Sequence, residues 1–149
     1  MRRTTSRPAE TRRVGAALAR QLRPGDVVAF RGELGSGKTT MIQGIVRELG
    51  GGHASSPSFV IVTTYPGRIP IHHADFYRLR DRTDLETIGW RDYLSSGILL
   101  VEWADRIPEC LPDATVEVSL AVAGPRRRII EIRRVRTPRA RASAVQRGN

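Results

Sequence analysis

The chain carries 25 basic and 15 acidic residues over 149 positions, a formal net charge of +10. A domain of this length buries a core of its own without staples, and the single cysteine, Cys110, excludes an internal disulfide framework. The longest apolar runs hold four residues, far short of the ~20 that a membrane helix needs, so no membrane association is expected.

Residues 1–6 are basic and lead into Arg12-Arg13 rather than an apolar stretch, so they do not read as a secretory signal, and the expected compartment is the cytoplasm. From Val14, apolar residues recur at Ala17, Leu18 and Leu22 with helical spacing, between Pro8 near the start and Pro24-Gly25 beyond the end. A short apolar run within 26–31 predicts a buried strand. Met41, Ile42, Ile45, Val46 and Leu49 then form one face of a helix closed by Gly50-Gly51-Gly52. Gly44 weakens that helix by ~1 kcal/mol relative to alanine. Strands at 59–65 and 69–75, separated by Pro66-Gly67, predict a hairpin. Short helices are expected around 84–88 and 90–94, and Gly97 opens a further buried strand over 98–103. Val116, Val118, Leu120 and Val122 alternate with polar or small residues. After Ala123-Gly124-Pro125, Ile130 and Ile132 share one face of 126–136, which completes an antiparallel hairpin.

The excess charge sits at the ends. Residues 1–13 carry five Arg and one Glu, residues 126–149 nine Arg and one Glu, and the remainder sums to −2. Residues 137–149 hold almost no large apolar side chain and read as a basic, disordered tail after a single domain over 1–136. Such a tail either solubilises the chain or touches RNA or an acidic partner. Of the basic residues 24 are arginine, and the one lysine, Lys38, stands where arginine could not replace it without loss of function.

Lys38 belongs to Gly32-Glu33-Leu34-Gly35-Ser36-Gly37-Lys38-Thr39, which fits G-x-x-x-x-G-K-[ST] at every fixed position. Backbone N–H groups can wrap polyphosphate only where glycines permit positive φ and leave no Cβ in the way. The helix that follows aims its N-terminal N–H groups at the same oxygens. Lys38 would reach the β and γ phosphates and the Thr39 hydroxyl would ligate magnesium. The motif lies between a predicted buried strand and a predicted amphipathic helix, the context it requires. The fold class is therefore α/β: a P-loop NTPase-like three-layer domain with a mixed sheet and a C-terminal antiparallel hairpin.

Such a site also needs an acid at the end of a neighbouring strand, to hold the magnesium shell or orient the attacking water. Glu102, after the apolar residues 98–101, and Asp75, at the end of 69–75, both qualify. His72 and His73 are neighbours on a strand, so they point to opposite faces and cannot easily share a metal; they read as structural or phosphate-adjacent. Trp103 either covers a nucleotide base or fills core.

The loop 32–40, the segment Ser56-Pro57-Ser58-Phe59, the run His73-Ala74-Asp75-Phe76-Tyr77-Arg78-Leu79 and Val101-Glu102-Trp103 together resemble the bacterial TsaE (YjeE) family over roughly residues 10–135. That resemblance implies the ATPase component of the machinery that makes threonylcarbamoyladenosine in tRNA, with ATP and Mg2+ as cofactors and a TsaD–TsaB pair as partner. Contact with tRNA would be indirect, or weak and through the basic tail. Position by position it implies catalytic roles for Lys38, Asp75 and Glu102, nucleotide contacts from Glu33, Leu34, Gly35, Ser36, Gly37, Lys38, Thr39, Thr40 and Trp103, and magnesium held by Thr39 and Glu102. Ser58 stands where the family more often has threonine, and the basic tail lies outside the family pattern. Two other classes compete. A small-molecule P-loop kinase would need an arginine-bearing helical lid where this chain has mostly strand. An RNA-binding module would spread basic and aromatic residues over a body that here sums to −2 with 5% aromatics overall.

Overall fold

A computed structural model describes residues 1–54, 61–107 and 116–135. Its elements in chain order are β1 (Arg2–Thr5), α1 (Pro8–Ala19), β2 (Val27–Arg31), α2 (Lys38–Glu48), β3 (Val62–Tyr65), β4 (Ile71–Asp75), α3 (Arg82–Thr87), α4 (Trp90–Ser95), β5 (Ile98–Glu102), a 3-10 turn (Ala104–Arg106), β6 (Val116–Val122) and β7 (Arg128–Arg134). The seven strands form one sheet in the order β1-β7-β6-β2-β5-β4-β3. Its centre is parallel, β6 beside β2 beside β5 beside β4. Antiparallel pairs close both margins, β3 on β4 and β1 on β7 on β6.

The continuous apolar runs at 27–30 and 98–101 are explained by burial on both faces, as parallel strands require. Val28, Phe30, Ile98 and Leu100 face α1 and α2, where Leu18, Met41, Ile42 and Ile45 complete the larger core. Val27, Ala29, Leu99 and Val101 face the opposite layer with Phe76, Leu85 and Trp90, the last two from α3 and α4. Fully burying a side chain such as Phe30 contributes roughly 1.5–3 kcal/mol. The result is the expected three-layer arrangement with a mixed sheet and a C-terminal hairpin.

Local signals explain the helix starts. Pro8 occupies the first turn of α1, where its missing N–H costs nothing, and Glu10 Oε2 accepts the Ser6 N–H at 2.7 Å. Asp81 caps α3 by accepting the Asp84 N–H at 3.1 Å. Gly44 has a packing role. A Cβ built there would lie 2.0 Å from the Arg12 carbonyl oxygen, and one at Gly15 would lie 2.2 Å from that of Met41. The backbones of α1 and α2 thus touch at reciprocal glycines, and the helix-propensity cost of Gly44 permits that approach.

Three differences from the sequence reading stand out. β1 was not expected, because Arg2–Thr5 is polar throughout; its order comes from the ladder with β7 and from the buried Thr5 hydroxyl, 2.8 Å from that of Thr11. β5 ends at Glu102 rather than 103, because Trp103 turns left-handed at φ 57°. β3 begins at Val62; residues 59–60, together with the segment 56–59 and the tail 137–149, lie outside the described residues. No helix among the described residues is long and apolar enough to cross a membrane.

Candidate functional site

The loop 32–37 leaves the C-terminal end of β2 and runs directly into α2. A Cβ at Gly32 would lie 2.6 Å from both the Leu120 carbonyl oxygen and Ser36 Oγ, so only glycine lets the loop fold back against β6. Gly35 and Gly37 sit at φ 78° and 104°, and Gly37 is the N-cap of α2. No side chain caps that helix start, so its first N–H groups face the loop concavity with the positive end of the helix dipole behind them. The buried Ser36 hydroxyl has no hydrogen-bond partner among the described residues. A helix N-terminus opening on a loop that is closed to a Cβ at Gly32 and left-handed at Gly35 and Gly37 fits an oxyanion such as phosphate.

Lys38 bends back over its own loop. Its Nζ donates to the Gly32 carbonyl and, at 3.1 Å, to that of Glu33, and lies 4.4 Å from the centre of the Trp103 ring. Burial lowers its pKa from the ordinary value, while the charges of Glu102, Asp75 and Asp105 oppose that shift. The side chain lies over the loop, with three carboxylates opposing the effect of burial.

The strand register supplies two of those carboxylates. Asp75 ends β4 and Glu102 ends β5, directly opposite one another in the parallel pair. Alternation along the strands places His73, Asp75 and Glu102 on the side of the sheet that carries α2. Thr39 Oγ1 on α2 donates to Glu102 Oε1 at 3.2 Å, and His73 Nε2 lies 2.8 Å from Glu102 Oε2. Glu102 is 3% exposed and His73 is fully buried. Asp75 Oδ1 accepts the Tyr77 N–H at 2.9 Å. Burial raises the pKa of Asp75, with Glu102 adding to the rise, and the Tyr77 N–H, His73 and Lys38 pull against it.

Lys38, Thr39, Asp75, Glu102 and Trp103 therefore surround one cavity of about 470 Å³ that is also lined by Leu34, Gly35, Ser36 and Gly37. Thr40 stands on its rim and also lines a second cavity beyond the loop. Glu33 contributes its carbonyl to Lys38 and to the Ser36 N–H. Trp103 has two environments. It lines the cavity and packs on the α3/α4 core, with its ring 5.0 Å from that of Tyr77.

Sequence reasoning missed Tyr77 and the specific contact of His73. The two histidines do part to opposite faces: His72 bonds Thr64 Oγ1 at 2.9 Å and Ser96 Oγ at 2.8 Å, away from the site. A buried polar residue two positions before a strand-end acid was the available signal for His73, since alternation puts both on one face.

A glycine-rich loop between a central parallel strand and a helix N-terminus, followed by Lys-Thr and faced by acids from β5 and the next strand out, β4, defines a P-loop NTPase-like protein. The family model described as threonylcarbamoyl adenosine biosynthesis protein TsaE matches residues 5–130. The tRNA threonylcarbamoyladenosine biosynthesis protein TsaE of Bacillus subtilis is 37% identical over 123 residues, 80% of this chain and 77% of that protein. Its counterpart in Treponema pallidum is 35% identical over 133 residues, 87% of this chain and 98% of that protein. The crystal structure of Bacillus subtilis YdiB superposes with a TM-score of 0.77 at 31% identity, covering 98% of this chain and 92% of that one. The chain belongs to the TsaE family, and with it to the machinery of tRNA threonylcarbamoyladenosine biosynthesis.

Proposed function

We propose that this protein binds ATP with magnesium at the loop 32–39 and hydrolyses it as the ATPase component of that machinery, its turnover raised by a TsaD–TsaB pair. The observation that carries the reading is the convergence of Lys38, Thr39 and Glu102 on one cavity at the N-terminus of α2. The backbone from Glu33 to Thr40 would hold the phosphates, and Lys38 would exchange the loop carbonyls for the terminal phosphate oxygens. Among the described residues no group of three His, Cys, Asp or Glu side chains is placed to hold a metal ion. Thr39 and Glu102 are the protein groups for magnesium, a cation that keeps waters and binds through one or two side chains plus phosphate. Bound magnesium neutralises phosphate charge as it develops. Asp75 would then remain to orient a water for in-line attack, and Trp103 to shield the mouth.

The partner half of the reading is supported by exposure at that mouth. Leu34 and Tyr77 are 89% and 54% exposed, apolar surface that a docking protein would cover. The working unit is the domain 1–136, with 137–149 an appended tail whose removal should leave nucleotide binding unchanged. The deciding experiment is ATP turnover with purified TsaD–TsaB, beside a pull-down of the pair with and without ATP. Lys38→Ala is expected to abolish turnover; near wild-type turnover would refute the site.

A further inference from the structure

The two basic ends of the chain, far apart in sequence, are neighbours in space. β1 pairs along its whole length with β7, Arg2 opposite Glu131 and Thr5 opposite Arg128, and α1 starts three residues after β1 ends. Residues 1–13 and 126–135 each hold five Arg and one Glu, so this edge carries +8 on a domain whose remaining body sums to −2. The nearby acids are already engaged: Glu10 by the Ser6 N–H, Glu131 by Arg2, and Glu117 by Arg31 and Arg133. Arg3, Arg7, Arg13, Arg126, Arg127 and Arg134 are exposed, and none has a carboxylate within 4.0 Å among the described residues. Two cavities run along the edge. One, of about 560 Å³, is lined by Arg3, Arg13 and Arg134, the other, of about 620 Å³, by Arg7, Arg126 and Arg128.

We propose that this arginine edge, formed by β1, β7 and the first turns of α1, is a docking surface for the phosphate backbone of RNA. Arginine forks match phosphate oxygens bidentately, and a row of unpaired ones gains by releasing the counterions condensed on a nucleic acid. Neither segment contains Phe, Tyr or Trp, so the edge has no platform for stacking bases and would read no sequence. The same lack argues against an acidic protein surface, whose stable docking draws on aromatic anchors. The Arg7/Arg126/Arg128 cavity borders the loop at Gly35, Gly37 and Thr40, whereas the Arg3/Arg13/Arg134 cavity shares no lining residue with the proposed hydrolytic site, so a test at those three residues stands or falls apart from that reading.

The test is fluorescence anisotropy of the full-length chain with labelled tRNA, with an unrelated RNA of equal length, and with labelled poly-L-glutamate, over a salt series starting at about 50 mM. Wild type is compared with the triple variants Arg3→Glu/Arg13→Glu/Arg134→Glu and Arg3→Gln/Arg13→Gln/Arg134→Gln, the second serving if charge reversal impairs folding. ADP affinity and melting temperature of each variant confirm an intact domain. Both RNAs should bind alike and more tightly than poly-glutamate. The glutamine triple should weaken RNA binding about tenfold or more and reduce the slope of log K against log salt by about 2–3. RNA affinity unmoved by the substitutions would place binding in residues 136–149 instead. Poly-glutamate bound as tightly as RNA would point to an acidic protein surface, and no RNA binding at the lowest salt would remove the surface altogether; each of these overturns the proposal.

Discussion

Nε2 of His73 lies 2.8 Å from Oε2 of Glu102, and both side chains are sealed from solvent. A hydrogen bond to an accepting carboxylate oxygen uses a proton on Nε2, and the buried Nδ1 has no partner among the described residues. The contact fixes the Glu102 carboxylate in one orientation and turns Oε1 toward Thr39. His73→Ala should therefore lower partner-stimulated ATP turnover about tenfold or more, the usual cost of losing a group that orients a ligating side chain. ADP affinity should change little. His73→Gln, whose amide N–H can replace Nε2–H, should recover part of the loss. Equal loss of affinity and turnover in both variants would mean that His73 serves the fold alone.

Glu102 itself acts, on the proposed reading, after nucleotide has bound. Glu102→Ala is expected to depress the stimulated rate far more than ATP affinity, because a carboxylate that orients water or completes the magnesium shell works mainly in the transition state. The isolated wild-type chain should be slow, with stimulation by TsaD–TsaB reaching the gains of ~10³–10⁵ that trans-acting activators give other P-loop enzymes. Turnover with and without the pair, for wild type and variant, together with a direct affinity measurement, decides this.

Gly44→Ala sets two effects against each other. Alanine gains about 1 kcal/mol of helix propensity, but its Cβ would sit 2.0 Å from the Arg12 carbonyl oxygen, a backbone atom that moves only if α1 moves. Overpacking of this kind costs about 1–3 kcal/mol or more, so the melting temperature should fall. A rise would show that α1 and α2 separate freely.

His72 gives the stability a pH dependence. Burial lowers its pKa from 6.5, so the unfolded chain binds the proton more tightly, and stability falls as pH drops below about 6.5 until the folded-state value is passed. Asp75, shifted upward from 3.8, contributes with the opposite slope at more acidic pH. Thermal melts between about pH 7.5 and 5 should thus show a decline that His72→Gln reduces. A slope that survives the substitution would assign it to another group.

What the sequence made legible follows from the range of each signal. The run from β2 through the loop into α2 was readable because glycine, lysine and threonine at fixed spacing have one common physical use, and apolar periodicity fixed the flanking elements. Asp75 and Glu102 were found separately, each as the acid that ends an apolar strand. Their position opposite one another, and the contact of His73 with Glu102, depend on how β4 registers against β5, which no local pattern encodes. β1 escaped notice for a related reason: its four residues have no hydrophobic alternation, and a distant partner strand supplies their order. Gly44 was read as a weakness because the residue that needs its missing side chain lies on another helix.

The pairing of β1 with β7 also sets an order of assembly. The Met1 ammonium donates to the Ile132 carbonyl at 2.9 Å across 131 residues of separation. During synthesis at 5–20 residues per second, the first strand waits roughly 7–26 s for its partner to be made. The loop and both layers around β2 and β5 precede β7 in the chain, whereas the sheet margin at β1 closes last and pays the largest loop-closure entropy. Residues 2–5 thus spend that interval without their partner strand, and the charges of Arg2 and Arg3 oppose pairing with a wrong edge.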